Sequence, residues 1–126
     1  MPYDQLSENA RLIIAEIQDI IIRKPTKGNS KPRGWEYSNQ ELSAAVARLE
    51  NELNQVDFEV IETHVFHIIY AGNIYNLISH LFLIPLNGSP RFDKDNEPLR
   101  ESHYTRESGK ISGPDIDIIC VALKEK

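Results

Sequence analysis

The stretch Asp57–Leu86, DFEVIETHVFHIIYAGNIYNLISHLFLIPL, decides how this chain folds. No Asp, Glu, Lys or Arg occurs between Glu62 and Arg91, so most of the segment has to lie inside the protein. Its first half is dense in β-branched and aromatic residues (Val60, Ile61, Thr63, Val65, Phe66, Ile68, Ile69, Tyr70), which fit a pleated surface well. Gly72-Asn73 then offers a two-residue hairpin loop, because glycine takes positive φ without steric cost. A hairpin closed there sets Ala71 against Ile74, Tyr70 against Tyr75, Ile68 against Leu77 and His64 against Leu81. The competing reading is a helix over 73–84, capped by Asn73, striped by Ile74, Leu77, Ile78 and Leu81 and ended by Pro85. The β-branched first half favours the hairpin.

Working outward, two amphipathic helices precede this stretch. Over residues 4–24, Leu6, Ala10, Ile13, Ile17, Ile20 and Ile21 recur at three- and four-residue spacing and form one apolar stripe. Glu8 with Arg11 and Asp19 with Arg23 have ion-pair spacing on the outer surface. Pro25 ends the helix, since the residue before a proline is pushed out of the α region. Residues 25–34, PTKGNSKPRG, read as a loop. Ser38 and Glu41 have capping-box spacing, with Tyr37 and Leu42 as the apolar staple. Leu42, Ala45, Val46, Leu49, Leu53 and Val56 then give the second helix its stripe.

Beyond the central stretch, Asn87-Gly88-Ser89-Pro90 reads as a turn and 91–114 as a polar excursion with short strands near Leu99–Tyr104. Asp115–Lys124, DIDIICVALK, reads as a strand buried on at least one face. The expected fold class is therefore α+β: one domain over residues 1–126, with two N-terminal helices packed on an antiparallel β-sheet. A mostly α fold, with 73–84 helical, is the alternative.

The 126 residues are 40% hydrophobic and 26% charged, ordinary for a globular protein that needs no disulfide or metal to hold a core. Cys120, the single cysteine, lies in an apolar run and reads as an inert buried thiol. The polar N-terminus lacks the layout of a signal peptide, and no run reaches the ~18 apolar residues of a membrane span. These features predict a soluble, cytoplasmic protein with no membrane association.

Net charge is −5, but it is unevenly spread. Arg23, Lys24, Lys27, Lys31 and Arg33 occur without an intervening acid. Taking these five from the fourteen basic residues leaves nine against nineteen acids, so the remainder stands at −10. Five cations followed by Trp35 and Tyr37 suit a phosphate backbone with a stacked base, or equally the acidic surface of a protein partner. The plainer alternative is a solvated loop.

Three further groupings are weaker. His64 and His67, with His80 nearby, have metal-ligand spacing only on a helix; on a strand they point to opposite faces. In the hairpin, His67 and His80 become diagonal neighbours with no acid or thiol placed as a third ligand. The segment 100–107 holds Arg100, His103, Arg106 and Glu107, residue types for acid–base cleavage of RNA with cations on the phosphate. Asp93–Glu97 starts like a calcium loop, but Pro98 stands where the glycine belongs. Phosphate-loop, dinucleotide, G-x-S-x-G and C-x-x-C motifs are all absent.

The resulting expectation is a non-enzymatic binding module with no cofactor and no metal. It contacts a protein or nucleic acid partly through the basic segment 23–35. A small metal-independent ribonuclease using His103 with Arg100 or Arg106 is the competing expectation.

Overall fold

The computed structural model describes residues 6–24, 27–31, 34–54, 58–69, 71–74, 80–88, 90–92, 103–105, 109–113 and 115–125. In chain order the elements are α1 (Glu8–Arg23), β1 (Lys27–Lys31), β2 (Gly34–Tyr37), α2 (Gln40–Leu53), β3 (Phe58–Ile68), β4 (Ala71–Ile74), β5 (His80–Asn87), β6 (Arg91–Phe92), β7 (His103–Thr105), β8 (Gly109–Ser112) and β9 (Ile116–Glu125). Six strands form an antiparallel sheet in the order β1-β2-β3-β9-β5-β7, and β4-β8-β6 form a smaller one. The α+β class, with both helices N-terminal to the long strands, is the architecture observed.

The helices start where short polar side chains replace missing backbone partners. Ser7 Oγ accepts from Ala10 N–H at 3.1 Å to open α1. Asn39 Oδ1 accepts from Leu42 N–H at 2.7 Å to open α2. The α2 cap is thus one residue beyond the expected Ser38, and Glu41 turns to Arg23 instead of closing a capping box. The stripes are as expected: Leu6, Ala10, Ile17, Ile20 and Ile21 are buried with Leu42, Ala45, Leu49 and Leu53, while Ile13 and Val46 pack partly buried beside them. Val56 lies outside the described residues. The pairs Arg48–Glu16 (2.7 Å) and Arg23–Glu41 (3.1 Å) join the exposed flanks of the two helices.

The Gly72-Asn73 hairpin does not form. Gly72 pairs with Ile111 and Asn73 with Lys110, both in extended strand β4 of the small sheet. β3 and β5 instead flank β9, each antiparallel to it, so they run parallel to one another with β9 between them. The cause is the apolarity of β9. Ile116, Ile118, Ile119, Val121 and Leu123 are fully buried, and a strand apolar on both faces excludes water only from the middle of a sheet. Pairing β3 directly with β5 would have left β9 at an edge. The helical alternative for 73–84 fails too, because β4 reaches Ile74 and β5 begins at His80.

Alternation along β9 divides the core. Ile119, Val121 and Leu123 face the helices together with Val65 of β3 and Phe82 and Ile84 of β5. Ile116, Ile118 and Cys120 face the other way with Ile68, Leu81 and Leu83, where Ile111 of the small sheet covers them. The molecule therefore has three layers: helix pair, large sheet, small sheet.

The expected loop over 25–34 is largely a hairpin arm. β1 pairs with β2 through Lys27↔Tyr37, Ser30↔Trp35 and Lys31↔Gly34, with one extra residue on β1 between the first two pairs. β2 in turn pairs with β3. Gly34 makes that approach feasible: a Cβ built there would stand 1.8 Å from the His67 carbonyl oxygen.

Candidate functional site

Two regions concentrate polar side chains: the basic hairpin and a buried network at the start of β9. In the hairpin, Arg23 closes the last turn of α1, with Nε 2.7 Å from Asp19 Oδ2 and a terminal nitrogen 3.1 Å from Glu41 Oε2. Those carboxylates raise its already high pKa. Lys24 Nζ lies 4.0 Å from Glu41 Oε1. Two of the five cations are therefore balanced by neighbouring acids. Lys27 and Lys31 stand at the two ends of β1, the terminal strand of the large sheet. Arg33 lies outside the described residues. The aromatic pair is engaged within the fold. Trp35 stacks on the His67 ring at 4.2 Å and an interplanar angle of 13°, and Tyr37 is buried with only 7% of its surface exposed.

The network gathers on Asp117, the sole buried acidic residue among those described. The Tyr37 hydroxyl donates to Asp117 Oδ1 at 2.6 Å and the Asn87 amide donates to Oδ2 at 2.9 Å. His67 Nδ1 lies 2.9 Å from Oδ1; a carboxylate only accepts, so this nitrogen carries the proton. Gln18 of α1 donates to Asn87 Oδ1 at 2.8 Å and to the Leu86 carbonyl at 2.7 Å. Burial, reinforced by the hydrogen bond to Asp117, raises the Tyr37 pKa, so the phenol acts as a donor and not as a base. The network joins α1, β2, β3, β5 and β9.

A histidine beside a buried aspartate resembles half of a nucleophilic triad. Here, however, Asp117 receives three donors from within the sheet, and His67 Nε2 turns towards exposed Asp115 Oδ1 at 3.4 Å. Among the described residues, Tyr37 is the sole hydroxyl in hydrogen-bonding range of His67. The arrangement pins strands together and, among the described residues, sets no free nucleophile beside His67. Asp117 was recoverable from sequence: in DIDIIC it occupies the same alternate positions as Ile119 and Val121, a charge at an inward site.

The remaining candidates are dispersed. His64 and His67 do point to opposite faces of β3: His64 Nδ1 meets Glu36 at 2.7 Å on one face, and His67 meets Asp117 on the other. His67 is paired with Asp117 and His80 with Leu123, on opposite sides of β9, so the expected diagonal contact between these histidines is absent. Among the described residues no group of three or more His, Cys, Asp or Glu is arranged to hold a metal. Partial burial alone lowers the His64 pKa, but the hydrogen bond and charge of Glu36, with Glu62 beyond, outweigh it and hold the value above the ordinary 6.5. Burial, with Glu36 adding, pushes the Cys120 thiol up to about 12, too high for a nucleophile. His103 pairs with Leu83 on β7, the opposite terminal strand from β1, while Arg100, Arg106 and Glu107 lie outside the described residues. No helix among the described residues is long and apolar enough to cross a membrane. No family model, curated protein or solved structure matches the chain.

Proposed function

We propose that this chain is a non-enzymatic binding module that holds an acidic protein partner, partly through the basic segment 23–35. The observation that carries the reading is the position of Lys27 and Lys31 on the terminal strand β1 of a chain that is otherwise strongly acidic. Positive potential gathered at one rim of a negative body orients an acidic partner towards that rim and repels it elsewhere.

A protein suits this rim better than a nucleic acid, for two reasons. The residues outside 23–33 stand at −10, which repels a phosphate backbone longer than the hairpin. Trp35 and Tyr37, which a single strand would need as stacking platforms, are committed to His67 and to the core. A cytoplasmic setting is part of the proposal: a lone cysteine permits no internal disulfide, and burial keeps its thiol protonated.

The test is affinity capture from the source cell with the wild-type chain and with a variant carrying Lys27→Glu, Lys31→Glu and Arg33→Glu, each with and without nuclease. A defined protein retained by the wild type, resistant to nuclease and lost from the variant, supports the proposal. Equal capture by both proteins retires it, and nuclease-sensitive capture transfers the site to nucleic acid.

A further inference from the structure

We infer that the partner binds by strand addition: an extended acidic segment lies along β1 as a seventh strand of the large sheet. This rests on the binding role proposed above and specifies its mode. β1 pairs with β2 on one side only; among the described residues no strand pairs with its other side. A strand so placed presents alternate backbone N–H and C=O groups outward, the template that β-augmentation uses. β1 is five residues long with no proline, KGNSK, so every residue retains its donor. The opposite terminal strand, β7, has three residues and offers a shorter template.

Charge selects the occupant. Lysine on an edge and an extra residue in the strand both discourage indiscriminate pairing, and β1 has both. A second copy of this chain is disfavoured, because β1 laid on β1 brings the two lysines of each copy into one ladder. The extra residue sets Lys27, level with Tyr37, and Lys31, level with Gly34, on opposite faces of the sheet, so a segment with acids on both faces converts the same lysines into cross-strand partners. The side-chain pairs supply selectivity and the backbone ladder supplies geometry.

The experiment uses the full chain and a blocked ten-residue peptide with acids on both faces, Glu-Glu-Val-Val-Glu-Glu-Val-Val-Glu-Glu. Two further versions are N-methylated at one or the other alternate set of residues, which removes donors from one edge without changing charge. Binding is read by fluorescence anisotropy, and the amide exchange of residues 27–31 is followed in parallel. Strand addition predicts binding of the parent peptide and slower exchange in β1. It also predicts retention of one methylated peptide and loss of the other. Lys27→Glu with Lys31→Glu should weaken binding about tenfold. Equal binding of both methylated peptides, with β1 exchange unchanged, overturns strand addition while leaving charge-driven binding at the hairpin intact. Indifference to the lysine reversals removes both ideas. Absence of peptide binding, or tighter binding of a ten-residue oligothymidylate, also overturns the inference.

Discussion

Asp117→Asn is the most informative single substitution, because the network around it has a fixed direction. The carboxylate accepts from Tyr37 and His67 at Oδ1 and from Asn87 at Oδ2. An asparagine keeps its oxygen towards Tyr37 and His67 and sets its NH2 against the NH2 of Asn87. Rotating the Asn87 amide moves the conflict to Gln18, whose NH2 already donates to Asn87 Oδ1. Rotating Gln18 in turn sets its oxygen against the Leu86 carbonyl. Flips of Asn87 and Gln18 alone therefore do not clear the defect; turning the new amide over does so only if His67 moves its proton to Nε2 and the Tyr37 hydroxyl turns to accept, which gives up both hydrogen bonds to the carboxylate. A hydrogen bond to a charged group contributes about 1.5–3 kcal/mol, and a buried donor left unpaired costs about 1–3 kcal/mol. Relief from burying a carboxylate offsets part of the sum, leaving a net loss of about 2–3 kcal/mol. For a chain of this length that lowers Tm by roughly 8–12 °C. Urea denaturation followed by the single tryptophan, Trp35, which stacks on His67, measures it directly. Adding Asn87→Asp restores the complement, since an aspartate at 87 accepts from both Gln18 and the new asparagine. The double variant should therefore recover at least about 1 kcal/mol. A single variant as stable as wild type, or a double variant whose losses simply add, would refute the directional network.

Further outcomes follow from the same geometry. Gly34→Ala should destabilise by about 1–3 kcal/mol and lower the strand content of the hairpin in circular dichroism, because its Cβ would meet the His67 carbonyl at 1.8 Å. Ile119→Ala, at a fully buried site on the central strand, should cost about 2–5 kcal/mol in urea denaturation. His64→Gln tests a pH dependence. The folded-state pKa of His64 is raised, so its contribution is fully present below about 6.5 and is lost as pH rises through the raised value. Wild type and variant should then differ most in stability near pH 5.5, roughly a unit below an ordinary imidazole, and converge as pH rises above the raised value. Alkylation of Cys120 by a thiol reagent in the native state should be slow and should become fast on unfolding, given its burial and a pKa of about 12.

What could be read from the chain alone was whatever local periodicity determines. The stripes of α1 and α2, the strand at β9 and the opposed directions of His64 and His67 all follow from periods of 3.6 and 2. The α2 cap shifted by one because Ser38 and Asn39 are adjacent and either side chain can accept the backbone hydrogen bond. The hairpin at Gly72-Asn73 was a local solution that tertiary packing overrode: neither residue is needed as a turn once β9 separates β3 from β5. The strand character of Lys27–Lys31 was hidden for the same reason. KGNSK has no strand propensity of its own and is extended because it borders β2. Asp117 carried a visible signal, but Tyr37, Asn87 and Gln18 came together only through the strand order.

That order is most directly tested by residue-resolved amide hydrogen exchange on the free protein. A central β9 and a terminal β1 predict uniformly slow exchange over residues 117–123, which are paired on both sides, with slow and fast amides both present along 27–31. Uniform protection of 27–31, or rapid exchange at alternate residues of 117–123, would contradict the arrangement, and the proposed partner would then have no free edge to join.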